Sequence, residues 1–480
     1  MVTVIFPAKG ITNVNQREHA PTNQTSKAQR PADSLLFYYQ TLSEGRFPNK
    51  RTLILAIKAC TLVHSVEEGK AIHAQIIKNE SNSDRFIASA LVSFYSASGE
   101  LTSARQVFDE INEKDTTLRT TMMTGYVQNG SIDMARHLFD EMPDRDVAAW
   151  NAMLSGYAKN GMPRDAIQLF RAMQINNFRP NEITLVSTLS ACSQWGCLSL
   201  GAWIHAYVNR NGDISFTSTL INSLIHMYAK CGRLGIAYDV FAENEPRNLE
   251  TWNTMLTSFA IHGHGVGALS LFCQMMKMGL MPDRITFLAI LMACSHCGMV
   301  DHAYKCFDCM CRVYGHEPQA EHYGCLVDAL ARSGLLVESM MVIDAMPFEP
   351  DNSVWGGLLG GCLTHRNYEL GLRAANHLLE QEPYEEARYI ALSNLYTMAG
   401  KLEEAVKVRK VMRDAGIKKS SGSSSIEVDG IIHEFLSGDR SHCLSMEIYS
   451  MVEIIDRSLE LESSKSFLNQ EANKKSVRLR

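Results

Sequence analysis

The stretch VAAWNAMLSGYAKNGMPRDAIQLFRAMQINNFRPN, residues 147–181, decides the fold of this chain. Its first part carries apolar residues at helical spacing and stops at Gly161, a common helix C-terminal signal. Its second part begins near Pro163 and has the pattern of another amphipathic helix. Ala166 falls where the two helices should cross, and only a small side chain lets their backbones approach closely. The stretch therefore predicts a helical hairpin.

The hairpin recurs through the chain in units of about 31–36 residues, a period typical of helical solenoids. Small residues mark the crossing point of each unit, at Ala104, Ala135, Ala166, Gly201, Ala237, Ala268, Ala303, Ser339, Gly371 and Ala405. Glycines run five residues ahead of them, at Gly99, Gly130, Gly161, Gly196, Gly232, Gly263, Gly298, Gly334 and Gly400.

Phenylalanines four residues after the small residues are expected to form a stacked core, because one hairpin cannot bury both of its faces. These are Phe108, Phe139, Phe170, Phe241, Phe272 and Phe307. The sequence therefore predicts an all-α fold, a right-handed solenoid superhelix of stacked helix-turn-helix repeats.

Composition narrows the class of protein. Apolar residues make up 46% of the 480 residues, yet no apolar run approaches the roughly 20 residues that a membrane helix needs. Four of the thirteen cysteines, at positions 60, 192, 294 and 362, occupy the same place in their units. Recurrence at one core position indicates packing, so a reducing compartment is favoured.

Two Cys-x-x-Cys pairs, Cys294 with Cys297 and Cys306 with Cys309, superficially suggest a zinc site. Their spacer is short, and each pair falls within a predicted helix, so packing is favoured over metal binding. His73 and His205 recur at one repeat position and are interpreted as core or interface residues. The sequence thus predicts no metal, no cofactor and no catalytic residue.

The units resemble the pentatricopeptide repeats of land plants, in which three variants alternate. VAAWNAMLSGYAKNG…RPN and LETWNTMLTSFAIHG…MPD resemble the P type, and ITLVSTLSACSQWG and ITFLAILMACSHCG resemble the long L type. INSLIHMYAKCG is similar to the short S type, as is RTTMMTGYVQNG…LFDEMPDRD. Tetratricopeptide repeats, the rival assignment, keep a strict 34-residue period that this chain lacks.

The resemblance divides the chain into a repeat array over 33–351 and C-terminal motifs. After a partial first repeat, the units are 50–84, 85–115, 116–146, 147–181, 182–217, 218–248, 249–283, 284–319 and 320–351. Residues 352–385 and 386–419 resemble two E-type motifs, 420–462 the truncated start of a DYW-like region, and 463–480 form a basic tail. Residues 1–32 are rich in basic and hydroxyl residues, as in an organellar transit peptide.

In this family each repeat reads one RNA base, and the resemblance assigns that role to the fifth and last residues of a unit. The pairs are Ser89 with Asp115, Thr120 with Asp146, Asn151 with Asn181, Asn222 with Asn248, and Asn253 with Asp283. The family associates them with a purine, guanine, a pyrimidine, a pyrimidine and uracil, in that order. L-type units carry Ile54, Val186 and Leu288 at the fifth place, which cannot hydrogen-bond a base. The expected target is purine, G, pyrimidine, any, pyrimidine, U and two loosely specified positions.

Two observations favour other interpretations. Asn and Asp at helix starts are also ordinary capping residues, and Asn151 and Asn253 each follow a tryptophan near a helix start. The net charge of −6 provides no broad basic field for phosphates. Either recognition rests on base edges and apolar contacts, or the solenoid binds protein instead.

The C-terminal region predicts a small β-hairpin, because Asp429-Gly430 lies between two short apolar segments. Ser421, Ser423 and Ser425 stand where the family usually has Pro, Cys and Trp, which puts the packing of this hairpin on the E-type motifs in doubt. No His-x-Glu and Pro-Cys-x-x-Cys pair follows, so the polypeptide is not expected to deaminate on its own.

These features predict an RNA-binding factor for organellar transcripts that is not an enzyme. Its expected role is site recognition for C-to-U editing, with a DYW-type deaminase or other editing factors recruited in trans through the E-type motifs. Transcript stabilisation or splicing support by occupancy is the alternative, and a protein-binding scaffold is a third. The expected location is the mitochondrion or chloroplast, with the mitochondrion slightly favoured, and no membrane partner is expected.

Overall fold

The computed structural model describes residues 31–79, 84–212, 214–245, 247–419, 422–428, 431–436, 439–442 and 444–458. The transit-peptide prediction for residues 1–32 lies outside these ranges except for residues 31 and 32, which begin α1, and the basic tail at 463–480 lies outside them entirely. The described chain is built of helices apart from one β-hairpin, which confirms the predicted all-α solenoid and the hairpin.

The chain divides between Ala149 and Trp150 into two compact units. The first contains α1 (Pro31–Ser43), α2 (Lys50–Val63), α3 (Val66–Lys78), α4 (Arg85–Ala97), α5 (Leu101–Glu110), α6 (Thr116–Gln128) and α7 (Ile132–Asp140). Helix α8 (Val147–Lys159) runs across the division.

The second unit begins with α9 (Pro163–Ile175), α10 (Glu182–Trp195), α11 (Leu198–Arg210), α12 (Ser218–Lys230), α13 (Leu234–Glu243), α14 (Leu249–Ile261), α15 (Gly265–Lys277), α16 (Arg284–His296) and α17 (Val300–Asp308). A π-helical turn (Cys309–Val313) follows, then α18 (Ala320–Arg332), α19 (Leu336–Asp344), α20 (Asn352–Thr364), α21 (Tyr368–Gln381), α22 (Glu386–Met398) and α23 (Leu402–Asp414). A last helix, α24, covers residues 445–458.

Short turns join the two helices of each hairpin. Gly161 ends the turn after α8 with a φ of +68°, a left-handed conformation that costs glycine little. The other eight glycines of the series share this conformation, with φ between +63° and +82°. The repeated glycine thus fixes where the first helix stops and the second begins.

The core of each hairpin lies at the predicted crossing point. Seven of the eight alanine and serine residues in the series have no exposed surface, and Ala405 keeps 4%. Five of the six phenylalanines are buried, and the rings of Phe241 and Phe272 contact Trp252 and Phe287 of the next hairpin. Phe307 is only half-buried, against Tyr323, so the prediction of a buried sixth phenylalanine was wrong.

The hairpin pairs β1 (Ser423–Val428) with β2 (Ile431–Leu436) in antiparallel register. Alternation along the strands puts the side chains of Glu427 and Glu434 on one face. Glu434 accepts hydrogen bonds from Arg164 (2.5 Å) and from the indole nitrogen of Trp195 (3.1 Å). Glu427 accepts from the backbone and hydroxyl of Ser199. The acidic face of the hairpin therefore rests on α9 to α11, far from it in sequence.

The recurring cysteines are fully buried, and burial raises the pKa of Cys60 and Cys362 to about 11. Cys297, a member of the first Cys-x-x-Cys pair, hydrogen-bonds to the preceding hairpin. Its Sγ donates to the carbonyl oxygen of Gly263 and accepts from the backbone N–H of Gly265. Among the described residues, no three His, Cys, Asp or Glu side chains are grouped to hold a metal ion. Nor does any helix in the described ranges have the length and apolar content to span a bilayer.

Candidate nucleic-acid interface

The side chains of Asn253 and Asp283 contact each other directly. Asn253 lies on the first turns of α14, and its Nδ2 donates to Asp283 Oδ1 at 3.0 Å. Asp283 is also the N-cap of α16, where Oδ1 accepts from the backbone of Thr286 at 2.8 Å. Asp283 Oδ2 receives no hydrogen bond from another described residue. It remains a free acceptor beside the Asn253 amide.

Asn151 and Asn181 repeat this geometry one P-type unit earlier. Asn151 Nδ2 donates to Asn181 Oδ1 at 3.0 Å, and Asn181 caps α10 by accepting from the backbone of Thr184 at 3.1 Å. The helix cap needs an acceptor for the Thr184 N–H, and Asn181 Oδ1 provides it. The amide Nδ2 of Asn181 is therefore the group that remains free to donate. The two pairs thus have the same architecture and expose opposite hydrogen-bonding groups, a donor at Asn181 and an acceptor at Asp283.

The Asn222 and Asn248 side chains are not brought into contact in this way. Asn248 caps α14 through Thr251, while both amide atoms of Asn222 are buried with no partner in the described chain. The second helix of this unit, α13, has 10 residues, whereas α9 and α15 of the P-type units have 13. Repeat length, which the sequence shows, separates bonded from unbonded pairs.

The two N-terminal pairs follow the unbonded pattern. Asp146 accepts from the backbone of Ala149 at 2.8 Å, and the Thr120 hydroxyl has no partner within the described ranges. Asp115 caps α6 by accepting from Leu118 and forms an ion pair with Arg85 at 3.5 Å. Ser89 lies half-buried on α4.

Helix capping accounts for one member of every pair and not for the other. Asp115, Asp146, Asn181, Asn248 and Asp283 all cap the following helix, as the capping interpretation expects. The fifth-place residues lie inside their helices, one turn beyond the cap, so capping does not explain Asn151 or Asn253.

Concave surfaces coincide with two of the pairs. A cavity of about 560 Å³ lies over Asn253 and Asp283, between α12, α14 and α16. A smaller one, of about 250 Å³, lies over Thr120 and Asp146 and is lined largely by hydroxyl groups. Each of these two pairs therefore lines a concave surface of the protein.

Exposed apolar side chains flank the larger cavity. Ile285, the second residue of α16, is 59% exposed and lines it together with Leu249 and Ile261. Ile183 of α10 and Phe86 of α4 occupy the equivalent second place and are also more than half exposed. We did not predict these residues from the sequence, although an apolar residue recurs at the second place of several units.

The charged and titratable side chains that line the larger cavity are Asp283, Glu250, Lys230 and His226. Burial raises the pKa of Asp283, but hydrogen bonds from Thr286 and Asn253 outweigh it, so the pKa lies below that of an ordinary aspartate. Burial and the Lys230 cation lower the pKa of His226. The lining thus carries two carboxylate side chains, Asp283 and Glu250, and one cationic side chain, Lys230.

The apolar fifth-place residues of the L-type units and the two recurring histidines lie on the helices of their repeats. Ile54, Val186 and Leu288 are half-buried on their first helices, with no group able to hydrogen-bond a base. His73 and His205 contact the hydroxyls of Tyr95 (2.7 Å) and Tyr228 (3.1 Å) in the following hairpin, and burial lowers the pKa of both histidines.

Comparison with family models matches most of the repeat region. A model of the PPR repeat family matches residues 145–194 and 247–296, and a model of the PPR repeat matches 119–147, 221–243, 285–313 and 321–349. An E motif model matches residues 365–427.

Comparison with whole proteins finds pentatricopeptide repeat-containing proteins of Arabidopsis thaliana. One is 44% identical over 88% of this chain and 79% of its own length. Another, a chloroplastic protein, is 35% identical over 86% of this chain, and the chain spans only 52% of it. Among solved structures, the pentatricopeptide repeat protein PPR10 in complex with an 18-nt psaJ RNA element covers 80% of this chain with a TM-score of 0.65. The match spans 58% of that structure at 19% identity, so the similarity concerns the fold alone.

Proposed function

The chain belongs to the pentatricopeptide repeat family and carries an E motif, and from that premise we propose that it binds single-stranded RNA sequence-specifically. The bound strand would run 5′ to 3′ along the repeats, with one base facing each pair of fifth and last residues. Its relatives include proteins named chloroplastic, mitochondrial or both, and the chain is accordingly an organellar protein.

The observation that carries this proposal is the reversed polarity of two otherwise identical pairs. Uracil presents an N3–H donor between two carbonyl oxygens, whereas cytosine presents an N3 acceptor beside an amino group. The free Asp283 Oδ2 complements the uracil N3–H, and the free Asn181 Nδ2 complements the cytosine N3. We assign uracil to Asn253/Asp283 and cytosine to Asn151/Asn181, which narrows the pyrimidine expected for the latter.

The remaining pairs provide weaker selection. The unbonded amide of Asn222 can turn either its oxygen or its nitrogen toward a base, so that position should accept both pyrimidines. The small Thr120 side chain leaves the hollow at Asp146 open for a purine. Because the chain carries a net charge of −6, phosphate contacts should be few and the salt dependence of binding shallow.

The proposed role of the bound protein is to mark a cytidine for C-to-U editing, with the deaminase supplied in trans. The E motif at residues 365–427 follows the repeats and supports this assignment, because it lies beyond the last base-facing pair. A protein that stabilises a transcript or supports its splicing by staying bound would use the same binding surface. Transcript sequencing distinguishes that role from editing.

The test is RNA binding by the full chain with single-base variants of the expected target. Affinity should fall when the base facing Asn253/Asp283 is changed from U to A, by about 1–3 kcal/mol for one mismatch. Binding that ignores every base substitution would instead favour a protein-binding scaffold. In a line lacking the protein, loss of editing at one site supports the editing role, while normal editing with reduced transcript supports occupancy.

A further inference from the structure

Thr286 lies directly beneath the Asn253/Asp283 pair. Its side chain is fully buried and does not line the cavity, so it cannot touch a base. Its Oγ1 lies 2.7 Å from Asn253 Oδ1 and 2.8 Å from Asp283 Oδ1, and it accepts from the Asp283 backbone at 3.2 Å. One hydroxyl thus contacts both residues that face the base.

These contacts give the Asn253 amide a single orientation. Asp283 is ionised and can only accept, so the atom that faces it at 3.0 Å must be Asn253 Nδ2. Asn253 Oδ1 then points at Thr286, where only a hydroxyl donor satisfies it in a buried site. The amide is held from both ends, and its second N–H is the group left for the base.

Thr184 repeats the arrangement beneath Asn151 and Asn181. The Thr184 hydroxyl lies 2.6 Å from Asn151 Oδ1 and 2.9 Å from Asn181 Oδ1, and Thr184 is also fully buried. Here the direction is set by the backbone N–H of Thr184, which requires Asn181 Oδ1 as its acceptor. The helix cap therefore fixes the orientation of the Asn181 amide, and Asn181 Oδ1 together with the Thr184 hydroxyl fixes that of Asn151.

The units without this hydroxyl contact leave the fifth residue unheld. Thr251, at the same place in α14, contacts Asn248 at 2.8 Å, and the Asn222 amide has no partner in the described chain. In α8 the equivalent residue is Ala149, and the Thr120 hydroxyl is again unpartnered within the described ranges.

We propose that Thr184 and Thr286 are positioning residues for base discrimination, each locking the amide of a fifth-place asparagine so that it offers a donor and not an acceptor. This inference rests on the proposed RNA binding and adds a third residue to each P-type pair. Replacing Thr286 by Val keeps the shape of the side chain but leaves Asn253 Oδ1 without its donor. That buried oxygen then has no partner, so the Asn253 side chain can leave Asp283 for another rotamer, and the preference between uracil and cytosine weakens.

The experiment measures the ratio of affinities for two RNAs that differ only in U or C opposite Asn253, using the full chain. In Thr286→Val this ratio should fall by at least about fivefold, and in Thr286→Ser, which restores the hydroxyl, it should return to that of the natural protein. Thr184→Val should change discrimination opposite Asn151 and leave the Asn253 position intact.

Thr188→Val is the matched control, since Thr188 is equally buried but its hydroxyl bonds only the backbone oxygen of Thr184. A U/C ratio unchanged in Thr286→Val, or reduced equally in Thr188→Val, would overturn the positioning role. If the natural protein itself binds RNA without base preference, the proposed function fails instead, so the two failures are distinguishable.

Discussion

The amide nitrogen of Asn253 lies 3.0 Å from the carboxylate of Asp283, on the same oxygen that caps helix α16. One acceptor atom, Asp283 Oδ1, therefore both caps helix α16 and orients Asn253 near the start of the same unit. Base-facing chemistry and fold stability are coupled at this point. A substitution that changes the atom at Oδ2 of Asp283 and keeps the capping oxygen Oδ1 separates base recognition from fold stability.

Asp283→Asn should convert the preference opposite this pair from uracil to cytosine. The cap on Thr286 requires an oxygen, so the new amide keeps Oδ1 inward and exposes Nδ2, as Asn181 does. Asn and Asp cap helices about equally well, so stability should change by only a few tenths of a kcal/mol. Competition binding with U- and C-containing RNAs measures the switch. Asn181→Asp should give the reciprocal change, and an unaltered preference in both variants would refute the assignment of the two bases.

Discrimination for uracil opposite Asp283 should persist well below neutral pH. Hydrogen bonds hold the pKa of Asp283 below its ordinary value, so the carboxylate stays an acceptor as the pH falls from 7 to 5. Because the folded-state pKa is depressed, the stabilising contribution is present above the unfolded-state pKa and is lost only as pH drops through the folded-state pKa. Affinity ratios at pH 7, 6 and 5 test this, with Asp283→Asn as the variant that cannot titrate. A ratio that collapses near pH 6 would contradict it.

Most of the fold could be read from the sequence, because one local pattern repeats. Gly161 marks the turn and Ala166 marks the helix crossing. Both positions need a particular backbone geometry or a small side chain, and every copy of the hairpin shares that need. The pairing of Asn253 with Asp283 came from the resemblance to pentatricopeptide repeats, which assigns base reading to the fifth and last residues of a unit. Their direct contact was not predicted, although the longer second helix that accompanies it is visible in the sequence as a longer repeat.

Contacts between segments that are far apart in the chain could not be predicted from the sequence. Nothing local to Glu434 indicates that it meets Arg164 and Trp195, since that contact depends on how the intervening repeats stack. The role of Thr286 was hidden for another reason. Thr286 completes a capping box with Asp283 at the start of α16, and only the structure shows its hydroxyl also reaching Asn253 of the previous repeat.

Arg164→Gln should loosen the β-hairpin without disturbing the helices beneath it. The substitution removes the ion pair with Glu434 and the guanidinium that lies 5.3 Å from the centre of the Trp195 ring. Both charged side chains are partly exposed, so the loss should stay below about 1 kcal/mol. Hydrogen exchange of residues 423–436 should quicken a few-fold, and the effect should shrink at high salt.

Arg171→Gln provides the control for that experiment. Arg171 lies on the same helix, is exposed, and forms no ion pair within the described chain. Exchange in the hairpin should be the same in Arg171→Gln as in the natural protein. Equal exchange in the Arg164 and Arg171 variants would mean that the carboxylates do not hold the hairpin on α9 to α11.

Gly360 and Gly361, adjacent in helix α20, should respond oppositely to replacement by alanine. A Cβ on Gly361 would lie 2.6 Å from the backbone carbon and oxygen of Ala331 in α18, so the two helices must separate. A Cβ on Gly360 meets nothing within 4 Å among the described atoms. Overpacking costs about 1–3 kcal/mol, whereas alanine in place of an exposed helical glycine gains about 0.5–1 kcal/mol.

Thermal unfolding should therefore place Gly361→Ala below the natural protein and Gly360→Ala slightly above it. Because each repeat is stabilised mainly by its neighbours, the Gly361 effect should be largest for amides of α18 to α21 in hydrogen exchange and fade toward α9. Two variants that shift the unfolding temperature equally would show that close approach of α18 and α20 is not what requires glycine at 361.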